Sequence, residues 1–192
     1  WTAPAGVFGL AAPVVAGMGL GLLAGLAVFV ATVVVGLFVF MALFYLPAVR
    51  FLGKKGVGEF VRGVTGSYVI GFSTTSSVAS LPVMFEDAEA LGVSPPVSSL
   101  VLSLGAAINR AGSALFQAGA LVFLATLYDV PLPFTTLVSA GFVGFVVAMS
   151  VAPVPSASIV TLAPILEVAG VPLGGLGLLL GIDRIPDMFR SA

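Results

Sequence analysis

The chain has 192 residues, of which 59% are hydrophobic and only 8% charged; its mean hydropathy is +1.23 and its formal net charge −1. Soluble domains carry about 25% charged residues, so this composition belongs to an integral membrane protein. It contains neither His nor Cys, which excludes thiol nucleophiles, disulfides, imidazole acid–base chemistry and haem or zinc sites built from those residues, and no basic patch exists for nucleic acid.

Taken in order, Pro4 to about Leu23 is apolar and Gly-rich, and Ala27 to about Leu46 is denser in Val and Phe. No charge occurs from Trp1 through Val49. That is enough for two spans of about 20 residues, with the break expected between Gly17 and Gly25 and a kink at Pro13. Trp1 is not preceded by Met or by a charged leader, and the chain stops at Arg190-Ser191-Ala192 inside what reads as a membrane segment. The expectation is a piece of a longer protein, without a signal peptide.

Arg50, Lys54, Lys55 and Arg62 hold four of the seven basic residues, which makes this loop cytoplasmic by the positive-inside rule. From Val64 the apolar signal resumes in short pieces. Tyr68 to Phe72 runs into Ser73-Thr-Thr-Ser-Ser77, and Val78 to Phe85 ends at Glu86, Asp87 and Glu89. Neither half reaches a full span of about 18 residues. The reading is a re-entrant hairpin over 60–92 with its hydroxyl cluster at the tip; two short interfacial helices around a polar loop are the alternative.

Ser94-Pro95-Pro96 starts the next helix, with Pro suited to a first turn. Its apolar flanks, Val97–Leu104 and Ala118–Leu127, surround Asn109, Arg110, Gly112 and Ser113. A charge at that depth costs roughly 2.5 kcal/mol or more, and Gly, Ser and Asn all weaken a helix. A broken helix over 95–128 is expected, of the kind that survives only against protein or a wet cavity and that marks transporter sites. It leaves the membrane at Tyr128-Asp129 on the outer side. Phe134 to Leu166 is apolar but interrupted at Ala152-Pro-Val-Pro155-Ser-Ala-Ser158, and Pro153, Pro155 and Pro164 cannot share one straight helix. A second re-entrant hairpin over 133–170, opening to the other face, is the reading. A partial last helix over 172–192 carries Asp183, Arg184, Asp187 and Arg190. Gly92-Val93 leading to Leu104-Gly105 and Ile108-Asn109-Arg110 is echoed by Gly170-Val171 leading to Leu180-Gly181-Ile182-Asp183-Arg184. The fold class expected is therefore an all-α membrane protein with transmembrane helices and two opposed re-entrant hairpins, an inverted-repeat transporter core.

The ordered set Ser76-Ser77-x-x-Ser80-Leu-Pro82, Leu104-Gly-Ala-x-Ile-Asn109-x-x-Gly112-Ser113-Ala-Leu-x-Gln117, Val154-Pro155 and Gly181-Ile-Asp183-Arg-x-x-Asp187-Met-x-Arg190, with the head segment Ala3–Phe8, resembles the glutamate/aspartate and dicarboxylate:cation symporter family. The resemblance covers essentially the whole chain and corresponds to the family's fifth helix through the first part of its eighth. It implies a scaffold-type helix over 1–24 and a transport domain over 25–192, whose first helix covers 25–49. It also implies an elevator-type secondary transporter rather than an enzyme, homotrimeric when full length, in a prokaryotic inner membrane. The substrate implied is aspartate, glutamate or a C4-dicarboxylate, with Na⁺ or H⁺ as coupling ion and no other cofactor.

Residue by residue, Ser76 and Ser77 match the serine-rich tip of the first hairpin, Asp187 the carboxylate that takes the substrate ammonium, and Arg190 the reader of an acidic side chain. Ser113, Val154 and Pro155 match further substrate positions. Gly105, Asn109 and Asp183 match positions lining the cation sites. Two departures stand out. Where the family reads Asn-Met-Asp-Gly-Thr this chain reads Asn109-Arg-Ala-Gly-Ser113, so the liganding Asp is Ala111 and the Met is Arg110. Pro153, Ser156 and Ser158 occupy positions that are usually glycine. Hard cations need oxygen ligands, which the Ala111 side chain lacks, so altered or reduced sodium coupling is expected. A degenerate homologue without transport activity is the alternative. Structural readings stand beside these: Asp187 and Arg190, three apart on one face, form a local ion pair, and Gly105 and Gly112 allow close helix packing.

Overall fold

The computed structural model describes residues 20–53, 56–149 and 156–191. Most of the 1–24 segment, Lys54 and Lys55 of the basic loop, and the second hairpin tip with Pro153, Val154 and Pro155 lie outside them. Every element among the described residues is a helix, with no strand.

The first helix runs from Leu20 to Phe40, beginning earlier than residue 25 and passing Gly21 and Gly25 without interruption. It is apolar on every side, as lipid or a protein core demands. Leu22, Leu26, Phe29 and Val33 are buried, an i, i+4, i+7, i+11 stripe along one face. Beyond Phe40 the winding loosens into π-helical turns at Met41–Tyr45 and Ala48–Leu52. Leu46 N–H bonds the Met41 carbonyl and Gly53 N–H the Ala48 carbonyl. Pro47 lies between the two and has no N–H to offer its preceding turn, one of the recognised reasons for helical winding to change.

Short helices Val57–Gly63 and Thr65–Thr74 follow, then Ser77–Ala90, Pro95–Ile108, Ala111–Leu127, Phe134–Ala148 and Ala157–Ala169. A 3₁₀ turn at Leu173–Gly175 leads into Leu176–Ile182 and Arg184–Ser191. By length and composition, Gly21–Leu52 and the interrupted Pro95–Leu127 can each cross a membrane. The interruption falls at Asn109-Arg110. Gly112 and Ser113, expected to help break the helix, instead lie in the first turn of the helix that resumes at Ala111. Ser158, expected in a hairpin tip, lies in the first turn of Ala157–Ala169. The last helix breaks at Asp183 because Pro186 denies the Ile182 carbonyl its i+4 donor.

Two compact units divide the described chain, one holding 20–34, 113–149 and 156–186 and the other 35–53, 56–112 and 187–191. In the first, Leu22, Leu26 and Leu178 form a core with Phe123, Leu127 and Ile182 against it. The Phe29 ring meets Phe116 at 5.8 Å and Phe123 at 5.1 Å between centroids. Helix Phe134–Ala148 packs on Ala157–Ala169 in the same unit. In the second unit, Thr65–Thr74 packs on Ser77–Ala90 across a two-residue turn, and Ser77–Ala90 on Pro95–Ile108. Val64, the N-cap of Thr65–Thr74, has no capping side chain. Asp87 supplies the missing acceptor from across the hairpin, taking the Ser67 N–H at 2.9 Å.

Candidate functional site

The second unit carries Ser76, Ser77, Gly105, Asn109, Asp187 and Arg190 of the residues expected to form a site. At the first hairpin tip, Thr75 turns the chain with φ 55° and is only 2% exposed. A β-branched residue there is an outlier, and such strain collects at functional sites. Ser76 then caps Ser77–Ala90, its Oγ accepting from Ala79 N at 3.4 Å. The Ser80 hydroxyl donates to the Ser77 carbonyl at 2.9 Å.

Asp187 and Arg190 share a helix face as their spacing requires. Arg190 Nε donates to Asp187 Oδ1 at 2.9 Å, with side chains 2% and 5% exposed. Ser191 Oγ adds a second donor to the same oxygen at 3.3 Å. Taking two charges from water is costly, and their attraction repays it only when the geometry is good. Aromatic rings flank this helix: Phe189 meets Phe72 edge-on at 5.1 Å and Phe38 at 6.0 Å. Gly112 lies so close that a Cβ there would be 3.0 Å from Arg190 Cβ and 3.1 Å from its carbonyl oxygen. A side chain there needs Arg190 to give by a few tenths of an ångström. Gly105 has open space where its Cβ would be, so close packing does not account for it.

The break at Asn109-Arg110 is held by side-chain bonds. Asn109 Oδ1 accepts from Ala111 N at 3.4 Å, and Nδ2 donates to the Tyr45 hydroxyl at 3.2 Å. Tyr45 belongs to the π-helical stretch, and nothing local in the sequence links it to a residue 64 positions away.

The first unit carries Ser113 and Asp183. Asp183 is 1% exposed, whereas Arg184 beside it is exposed, so the two face different surroundings. Ser158 Oγ donates to Ser113 Oγ at 2.9 Å, and Gln117 Nε2 donates to Thr161 Oγ1 at 2.5 Å and, less closely, to the Ser158 carbonyl at 3.4 Å. Thr161 was not singled out from sequence, and Gln117 only as a motif member. The signal for both was present: a lone amide and a lone hydroxyl in apolar membrane runs are expensive unless they find partners. Ser156 keeps φ 60°, the left-handed conformation that favours glycine. No group of three or more acidic side chains able to hold a metal occurs among the described residues.

The sodium:dicarboxylate symporter family matches residues 1–192. The chain is 34% identical over 190 residues to the proton/sodium-glutamate symport protein of Geobacillus stearothermophilus, covering 99% of this chain and 45% of that protein. It is 36% identical over 190 residues to the proton/glutamate-aspartate symporter of Escherichia coli K12, covering 99% and 43%. To excitatory amino acid transporter 1 of Homo sapiens it is 32% identical over 195 residues, covering 100% and 36%. The chain spans less than half the length of each of these relatives.

Proposed function

The chain belongs to the sodium:dicarboxylate symporter family, a family of membrane transporters and not of enzymes, and on that premise we propose that it serves secondary transport of acidic amino acids, with C4-dicarboxylates as second substrates. The observation that carries this reading is the buried Asp187–Arg190 pair. An α-amino acid with an acidic side chain offers one cation and two anions. Its ammonium can replace Arg190 on Asp187, and its side-chain carboxylate can take the planar guanidinium fork. The pair thus offers one complementary group to the ammonium and one to a carboxylate. The same names recur in the relatives, which are glutamate, glutamate-aspartate and excitatory amino acid transporters.

Residues 1–24 are assigned to a trimerising scaffold and 25–192 to an elevator-type transport domain in a prokaryotic inner membrane. Hairpins 60–92 and 133–170 enter from opposite faces as an inverted repeat. The non-helical turn at Thr75-Ser76 and the paired helices Phe134–Ala148 and Ala157–Ala169 support the hairpin reading. Ser76, Ser77, Ser113, Val154 and Pro155 complete the substrate site. Uptake of labelled aspartate into proteoliposomes is the test, with Arg190→Ala expected to abolish it while the protein stays folded. Undiminished aspartate binding by that variant would remove Arg190 from the site.

A second strand of the proposal concerns coupling. Gly105, Asn109 and Asp183 line cation positions, but Arg110 stands at the helix break where the family has Met, and Ala111 replaces the liganding carboxylate. A guanidinium there repels Na⁺ at short range where water is scarce. Transport is then driven by fewer Na⁺ or by protons. Aspartate binding titrated against Na⁺ decides this: the parent should show a shallower sodium dependence than Arg110→Met/Ala111→Asp. Equally steep curves would show that no site is lost.

A further inference from the structure

The first turn of helix Ala157–Ala169 is tied to its neighbour through side chains. Gln117, Thr161 and Ser158 are 3%, 4% and 6% exposed. Gln117 Nε2 donates to Thr161 Oγ1 at 2.5 Å. Thr161 Oγ1 in turn donates to the carbonyl oxygens of Ala157 at 3.2 Å and Ser158 at 3.1 Å. Gln117 also reaches the Ser158 carbonyl, at 3.4 Å. The backbone of Ser158 is thereby fixed from two directions, and its hydroxyl donates to Ser113 Oγ at 2.9 Å.

A hydroxyl has one proton and two lone pairs. One lone pair of Ser113 is occupied by the Ser158 proton, and among the described residues Ser113 Oγ donates to none. Its proton is the open end of the Ser158–Ser113 pair, and a hydroxyl that accepts one bond is polarised as a donor for the next. A carboxylate can only accept, and a bond to an ionised acceptor is roughly twice as strong as a neutral one.

We propose that Ser158 is a specificity-determining residue that acts through Ser113, turning the Ser113 hydroxyl outward as a donor for a carboxylate-bearing ligand, with Gln117 and Thr161 as positioning residues. The inference rests on the reading of Ser113 as ligand-facing and adds to it the reason for a serine at residue 158, where glycine is usual.

The test is equilibrium binding of aspartate and of asparagine, its neutral amide analogue, to the purified protein at one fixed salt concentration. Ser158→Ala should weaken aspartate binding about tenfold, the worth of one hydrogen bond to a charged group, and asparagine binding by less than half as much on a logarithmic scale. On a Ser113→Ala background, Ser158→Ala should add nothing. Ser158→Cys keeps the size and weakens the donor, and its aspartate-to-asparagine ratio should fall between parent and alanine; it carries the test if alanine does not fold. An unchanged ratio, or losses that add on the Ser113→Ala background, overturns the inference alone. A parent that binds neither compound overturns the proposed substrate class and the inference with it.

Discussion

The two hydroxyl-rich helices that begin at Ser77 and Ala157 have matching local plans and different attachments. Each follows a non-glycine residue near φ 60°, Thr75 and Ser156, and each holds an internal proline, Pro82 and Pro164. In Ser77–Ala90, Ser76 caps the helix and the Ser80 hydroxyl bonds the preceding turn. Ser80 is its one buried residue. Ala157–Ala169 buries eight residues, Ser158, Ile159, Thr161, Leu162, Ile165 and Leu166 among them, and sends its hydroxyls to Ser113 and Gln117 on another helix. Similar tips are therefore secured in two ways. Cross-helix hydroxyl bonds must break before Ala157–Ala169 separates from its neighbour.

The largest expected effect breaks the second attachment. Gln117→Leu removes a buried donor from Thr161 and should destabilise the protein by roughly 1–3 kcal/mol, the cost of leaving a buried polar group unmatched. Thermal unfolding in detergent measures it, and no change would mean the seam contributes nothing. Thr75→Gly sharpens the comparison from the other side. Relief of a β-branched residue from the left-handed region is worth about 1–2 kcal/mol, but glycine adds chain entropy of about 0.5–1 kcal/mol and gives up the buried Thr75 side chain, so the melting temperature should change little. A small effect is expected for Ser76→Ala. Loss of an N-cap costs about 1 kcal/mol, and here less, because the bond is long at 3.4 Å. If Ser76→Ala cost as much as Gln117→Leu, the contrast between local and cross-helix attachment would be wrong.

Much of this arrangement was legible in the chain. The break between Ile108 and Ala111, the turn after Thr74 and the separation of Phe134–Ala148 from Ala157–Ala169 all follow from where polar residues and prolines interrupt apolar runs. The exact reach of each interruption was not. Gly112 and Ser113 are weak helix formers, yet they are helical, and a Cβ at Gly112 would stand 3.1 Å from the Arg190 carbonyl oxygen. The π-helical turns around Pro47 had no signature beyond the proline itself.

By itself the sequence determined that this is a membrane protein of helices, which helices break, and that Asp187 and Arg190 share a face. Composition, helical period and the missing N–H of proline act within a few residues, so they can be read along the chain. Only the tertiary structure decided that Asn109 meets Tyr45, that Asp87 caps a helix it does not belong to, and that Gln117, Thr161, Ser158 and Ser113 form one seam. Those partners lie 20 to 64 residues apart. A buried polar group in an apolar run announces that it needs a partner, but which one it finds depends on how the helices pack.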